Sequence, residues 1–179
     1  MANDAESRLG LLRARFKTRL LRVWKALPGC VQGWIMRWLL PKYLVGSVAV
    51  ILDDAGRVLL YRHTYRDDYP WGLPGGWLKP GEDPIDAIER EVREEGGYDI
   101  KALHPLVIGG DRYLRRIDLI FLCDLVGGTF RPSAEVSEAG FFAPDALPGR
   151  VEPFHVQVVG YASDVVAGRV RGQPPRSPH

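Results

Sequence analysis

Residues 75 to 98 read Gly75-Gly76-Trp77-Leu78-Lys79-Pro80-Gly81-Glu82-Asp83-Pro84-Ile85-Asp86-Ala87-Ile88-Glu89-Arg90-Glu91-Val92-Arg93-Glu94-Glu95-Gly96-Gly97-Tyr98. A glycine-rich loop runs here into a helix that carries a stripe of carboxylates. Asp83 can cap the helix, Pro84 suits the first helical position because its missing N–H is not needed there, and Asp86 adds negative charge to the first turn. Gly96 and Gly97 follow a run of good helix formers and should stop it after about three turns.

Ile85, Ile88 and Val92 recur at i, i+3 and i+7, which predicts one apolar stripe facing a core. Glu91, Glu94 and Glu95 fall at i, i+3 and i+4 on a neighbouring face, with small Ala87 beneath them. Like charges at this spacing destabilise a helix by a few tenths of a kcal/mol per pair, and by more where water is partly excluded. A cation is therefore expected beside them. Arg90 points in another direction and reads as a tie to Glu82 or to a neighbouring glutamate. Mg2+ or Mn2+ suits the carboxylates better, because hard cations take oxygen ligands and keep waters that a phosphate can displace. Glycine at 75 and 76 lets a backbone carbonyl approach the same ion without Cβ interference. At about 7% usage per fixed residue, seven specified positions match by chance in roughly one window in 10^8, so a merely solvated Glu-rich helix is a poor account of the pattern.

Gly76, five residues, Glu82, seven residues, then Arg90-Glu91-Val92-any-Glu94-Glu95-any-Gly97-Tyr98 resembles the Nudix box of the Nudix hydrolases. Every charged and glycine position of the box is present, and Tyr98 stands where the family usually has an aliphatic residue. The box covers 23 residues, within an expected domain from about 43 to 168. The resemblance implies an α/β/α sandwich with a mixed sheet. It also implies Mg2+- or Mn2+-assisted attack of water on a phosphorus of a nucleoside diphosphate linked to another group. On these positions Glu91, Glu94 and Glu95 match the metal-binding helix residues, Glu82 supports metal binding or orientation, Gly75 or Gly76 offers a carbonyl, and Arg90 joins the catalytic set. The family's general base is often a glutamate outside the box, and Glu135 and Glu138 are the candidates. Arg62, His63 and Arg66, upstream of the box, are candidate phosphate or base contacts. Tyr113 resembles a tyrosine of dinucleoside polyphosphate hydrolases, and the proline that marks many ADP-ribose hydrolases beyond the box is absent. ADP-ribose, dinucleoside polyphosphates, sugar nucleotides and (d)NTPs all remain substrate candidates. The alternative is a Nudix-fold nucleotide-binding or regulatory protein without significant hydrolysis, and an isoprenyl diphosphate isomerase would be expected to depart from the box.

Around this stretch the chain of 179 residues, 46% hydrophobic, is long enough for one domain with a sizeable core and an appendage. Its two cysteines, Cys30 and Cys123, form no metal or disulfide pattern, and a reducing cytoplasm is the expected compartment. Cys123, in the apolar run 119–125, reads as core rather than nucleophile. The net charge of +2 hides an asymmetry, for residues 1–42 carry nine Lys or Arg against Asp4 and Glu6, so the rest of the chain sums to about −5. In that basic arm the apolar spacing predicts a helix over 7–27, a break at Pro28-Gly29 and a second helix over 31–40. No apolar run is long enough to span a membrane, and Arg13, Arg15 and Lys17 interrupt any secretory core. Three roles compete for the arm: packing against the catalytic domain or a second subunit of a homodimer, contact with an anionic membrane surface, and, least favoured, nucleic-acid contact. After it, strands are expected over 45–52 and 57–63 as a hairpin about Asp53-Asp54-Ala55-Gly56, then over 102–109, 117–125 and 139–142, with a turn at Gly127-Gly128. A closing helix over 156–167 and a disordered Pro-rich tail over 169–179 complete the reading.

Overall fold

A computed structural model of the chain describes residues 17–111, 113–169 and 174–176. It divides into two compact units, Met1–Lys42 and Tyr43–His179. In the first, residues 17–26 are helical (α1) and Gly29–Leu39 form α2. Pro28 separates them, and Gln32 Nε2 donates to the Trp24 and Leu27 carbonyls at 2.8 and 3.1 Å, satisfying acceptors that the end of α1 leaves open. Residues 7–16 of the expected first helix and most of the expected disordered tail lie outside the described residues.

The second unit is an α/β/α sandwich. Its elements are β1 (Leu44–Ile51), β2 (Val58–His63), β3 (Trp71–Gly72), β4 (Gly75–Trp77), α3 (Pro84–Gly96), β5 (Tyr98–Asp111), β6 (Arg116–Gly128), β7 (Val136–Phe142) and α4 (Pro153–Val166). They form a four-stranded sheet, β4-β1-β6-β5, and a three-stranded one, β3-β2-β7. β1 lies parallel to β6 and antiparallel to β4. Strand alternation sorts side chains to the two faces. Ala49, Ile51, Leu59, Tyr61, Phe121 and Cys123 pack with Ile88 and Val92 of α3, whereas Val50, Val58, Leu60, Ile120 and Leu122 pack with Phe154, Val158, Val159 and Ala162 of α4. Full burial of Ile88 and Val92 contributes about 1.5–3 kcal/mol each, which seats α3 on the sheet.

Four expectations are corrected. Strands 45–52 and 57–63 are not a paired hairpin: the turn forms, with Asp53 Oδ1 accepting from Ala55 N and Arg57 N at 3.0 and 2.8 Å, but β1 and β2 share only the Leu52–Val58 bridge before joining different sheets. Both strands are apolar on both faces and find partners among later segments instead. Ile85, placed in the core stripe, is 42% exposed, because the buried arc of α3 runs through Ala87, Ile88, Val92 and Glu95. Gly127-Gly128 remain strand, paired to Asp99 and Tyr98, with Gly128 at φ 86°. α4 begins three residues earlier than expected, at Pro153, so His155 is helical.

Candidate active site

Local signals set the ends of α3. Asp83 accepts from Ile85 N at 2.8 Å, Pro84 opens the helix, and Gly97 closes it in the left-handed region at φ 76°. A Cβ at Gly97 would also lie 2.7 Å from the Thr129 carbonyl, so the stop is enforced twice. Ser47 Oγ of β1 donates to the Pro84 carbonyl at 3.0 Å and ties the helix start to the central sheet.

This register carries Glu95 into the buried arc. Its side chain is 7% exposed, Oε2 has no hydrogen-bond partner, and burial, then the charges of Glu91 and Glu135, push its pKa up to about 8. A carboxyl so placed holds a proton at neutral pH unless a cation takes the proton's place. Glu91 stands beside it against β4, where a Cβ at Gly76 would fall 2.5 Å from Glu91 Oε2. Gly75 is equally confined, since its Cβ would meet the Ser47 carbonyl at 2.5 Å.

Arg90 organises the rim. It holds Glu82 through Nε and Nη2 at 2.7 and 2.9 Å, and its Nη1 reaches Glu91 Oε1 at 2.7 Å and Glu94 Oε2 at 3.1 Å. The paired guanidinium, together with the Lys79 N–H, holds the Glu82 carboxyl down at about 2. Glu94 is 57% exposed and shares Arg90 Nη1 with Glu91, whereas Glu95 is buried. Among the described residues no three His, Cys, Asp or Glu side chains are grouped to hold a metal as they stand. The donors nevertheless fit a hard divalent cation: a buried carboxylate oxygen without a partner, a second carboxylate beside it, and backbone carbonyls on glycines that admit no side chain.

Glu91 and Glu95 lie in the wall of a cavity of about 830 Å³ that also meets Gly75, Gly76, Trp77, Tyr65, Arg66, Arg116, Asp118, Glu135, Glu152 and His155. Of the expected site residues, Gly75, Gly76, Glu91, Glu95, Glu135 and Arg66 are brought together here, with Glu82, Arg90 and Glu94 bonded behind them. Glu138, Arg62 and Tyr113 are not among the lining residues. Arg62 and Glu138 face each other across β2 and β7 and pair at 3.1 Å, and Tyr113 is exposed in the β5–β6 turn.

Several residues of this cavity escape sequence reasoning. Asp118 is buried on β6, 2.8 Å from Arg116 Nε, and burial raises its pKa against the opposing pull of that guanidinium. Gly46, opposite it in register, makes room, since a Cβ there would lie 2.6 Å from Asp118 Oδ1. The available signal was a carboxylate among the apolar residues 117–122. His155 accepts from the Leu73 N–H at 3.1 Å, and burial, then Arg66 and Arg116, lower its pKa to about 3. Its approach to Glu152 at 3.6 Å is thus a contact of a neutral ring rather than an ion pair.

The NUDIX domain model matches residues 42–160. The chain belongs to the Nudix family. It is 35% identical over 99 residues to the zebrafish (Danio rerio) 8-oxo-dGDP phosphatase NUDT18, over 54% of this chain and 29% of that protein. It is 33% identical over 116 residues to the ADP-ribose pyrophosphatase of Methanocaldococcus jannaschii, over 59% of this chain and 67% of the relative. A crystal structure of an ADP-ribose pyrophosphatase from Streptococcus suis superposes with a TM-score of 0.60 at 28% identity, covering 75% of this chain and 98% of that one. These relatives are named for phosphatase and pyrophosphatase activity on nucleotide-type small molecules. Nudix hydrolases generally use divalent metal ions. The chain spans under a third of the zebrafish relative's length.

Proposed function

We infer that this Nudix protein is a Mg2+- or Mn2+-dependent pyrophosphohydrolase that cleaves a phosphoanhydride bond in a nucleoside diphosphate linked to another moiety. The observation that carries this reading is Glu95, buried and without a partner at Oε2, beside Glu91 in a cavity that also holds Arg66 and Arg116. The cavity volume is in the range that encloses a nucleotide-sized ligand.

In this reading Glu91, Glu95 and a carbonyl of Gly75 or Gly76 hold the cation, and Glu94 joins them by exchanging its Arg90 contact. Glu82 fixes Arg90, and Arg90 in turn fixes the carboxylate of Glu91. When bound, the cation neutralises pyrophosphate charge and lowers the pKa of bound water. Glu135 is assigned as the proton acceptor over Glu138, since it lies in the cavity wall and acts on the Glu95 charge, while Glu138 is tied to Arg62. Arg66 meets a phosphate oxygen with a planar donor set, and the Trp77 ring offers a face for stacking at the cavity edge. Both thiols are free, as suits a reducing cytoplasm.

A panel assay tests this. Phosphate or nucleotide release is followed from ADP-ribose, diadenosine polyphosphates, NADH, sugar nucleotides, (d)NTPs and 8-oxo-dGDP, with Mg2+ and with Mn2+. Cation-dependent turnover of at least one compound supports the reading. Tight binding of a panel compound without turnover of any would establish a nucleotide-binding regulator instead.

A further inference from the structure

Residues 17–42 carry six Lys or Arg and no Asp or Glu. On α1, Arg19, Arg22 and Lys25 share one side while Leu20, Val23 and Trp24 share the other. On α2, Val31, Trp34, Ile35 and Trp38 recur at i, i+3, i+4 and i+7, an apolar stripe of the kind that ordinarily faces a core. Among the described residues of its own unit nothing covers this stripe: α2 has no buried residue, Trp34 is 63% and Trp38 74% exposed, and their rings stand 6.3 Å apart. Leu39 and Leu40 extend the exposed apolar surface.

We propose that this basic, tryptophan-bearing helical pair docks on an anionic lipid surface. Three observations select that occupant. An apolar stripe bordered by cations matches the interfacial helix, whose rings and leucines enter the headgroup boundary while Lys and Arg meet lipid phosphates. A second copy of the same face would set six like charges against six without an acid to offset them, which disfavours self-association through it. RNA would satisfy the cations but leave Val31, Leu39 and Leu40 in water. Among the described residues neither helix is long and apolar enough to cross the bilayer, and the proposed mode is lying on the surface. The inference is independent of the hydrolase reading, since it uses no residue assigned to the cation or substrate site.

The test is flotation of the full chain with vesicles of phosphatidylcholine alone, or mixed equally with phosphatidylglycerol, at low salt and at about 1 M salt, where the Debye length falls to about 3 Å. Binding to the anionic vesicles only, weakened by salt and accompanied by a blue shift of tryptophan emission, is the expected result. The triple variant R19E/R22E/K25E should lose at least ~100-fold in partitioning, taking about fivefold for each basic residue at an anionic surface. Trp34→Gln with Trp38→Gln should lose binding and the blue shift together. Both variants should keep the solution turnover and circular dichroism of the parent, which separates loss of docking from loss of fold. Absence of flotation at low salt, equal binding to neutral vesicles, or undiminished binding by the charge-reversed chain would each overturn the proposal. So would a dimer in sedimentation equilibrium that the tryptophan substitutions dissociate, or retention of RNA by a chain that ignores vesicles.

Discussion

Glu95→Gln probes the buried carboxyl through stability, independently of any substrate. The native pKa stands near 8 against an ordinary value of 4.5. Between those values the unfolded chain ionises at this position while the folded chain keeps its proton. Metal-free stability contributed by this group is therefore complete below about pH 4.5, falls as pH rises toward 8, and is level above that. At pH 7 the penalty is about 3 kcal/mol, from 1.36 kcal/mol per pKa unit. Glutamine occupies the same space and does not titrate. In urea unfolding with EDTA, the stability of the variant relative to the parent should accordingly rise by about 3 kcal/mol from pH ~5 to pH ~8. Adding Mn2+ to the parent near neutrality should release close to one proton per chain and, at a hundredfold excess over Kd, stabilise it by about 2.7 kcal/mol. The variant should do neither. Parallel stability profiles for the two proteins across this range, or a variant less stable than the parent at pH ~8 without metal, would refute the reasoning.

Other substitutions report on the site's parts. Gly76→Ala places a methyl on the Glu91 carboxylate, so turnover should drop by about 10^2-fold with the circular dichroism intact. Glu135→Gln should lower kcat by about 10^2 to 10^4-fold, with Glu138→Gln near the parent value, and a reversed ranking would move the proton acceptor to Glu138. Arg90→Lys abandons the two-pronged hold on Glu82 along with the Glu91 contact, which should destabilise the chain by about 1.5–3 kcal/mol in urea melts and raise the Mn2+ concentration needed for activity.

The parts of the molecule that could be read from the chain are those set by neighbours in sequence. Asp83, Pro84 and Gly97 bound α3 because capping and left-handed closure are decided within a few residues. Parts that depend on distant segments were not legible. The turn at Asp53 forms as expected, yet whether β1 and β2 pair is decided by β6 and β7, dozens of residues later. The same holds within the helix. Spacing alone put Ile85 in the core, whereas docking on the sheet turned Glu95 inward and left Ile85 exposed. Asp118 and His155 enter the cavity from β6 and α4, and only tertiary packing joins them to the box.

The central claim, that a cation held by the inward carboxylates drives hydrolysis, is tested most directly by one titration. Turnover of the best panel substrate is measured against Mn2+ concentration for the parent chain and for Glu95→Gln. Saturable, EDTA-sensitive turnover by the parent, with kcat at least ~10^3-fold lower in the variant at saturating cation, is the predicted result. Turnover that persists in EDTA, or a variant within tenfold of the parent, would contradict it.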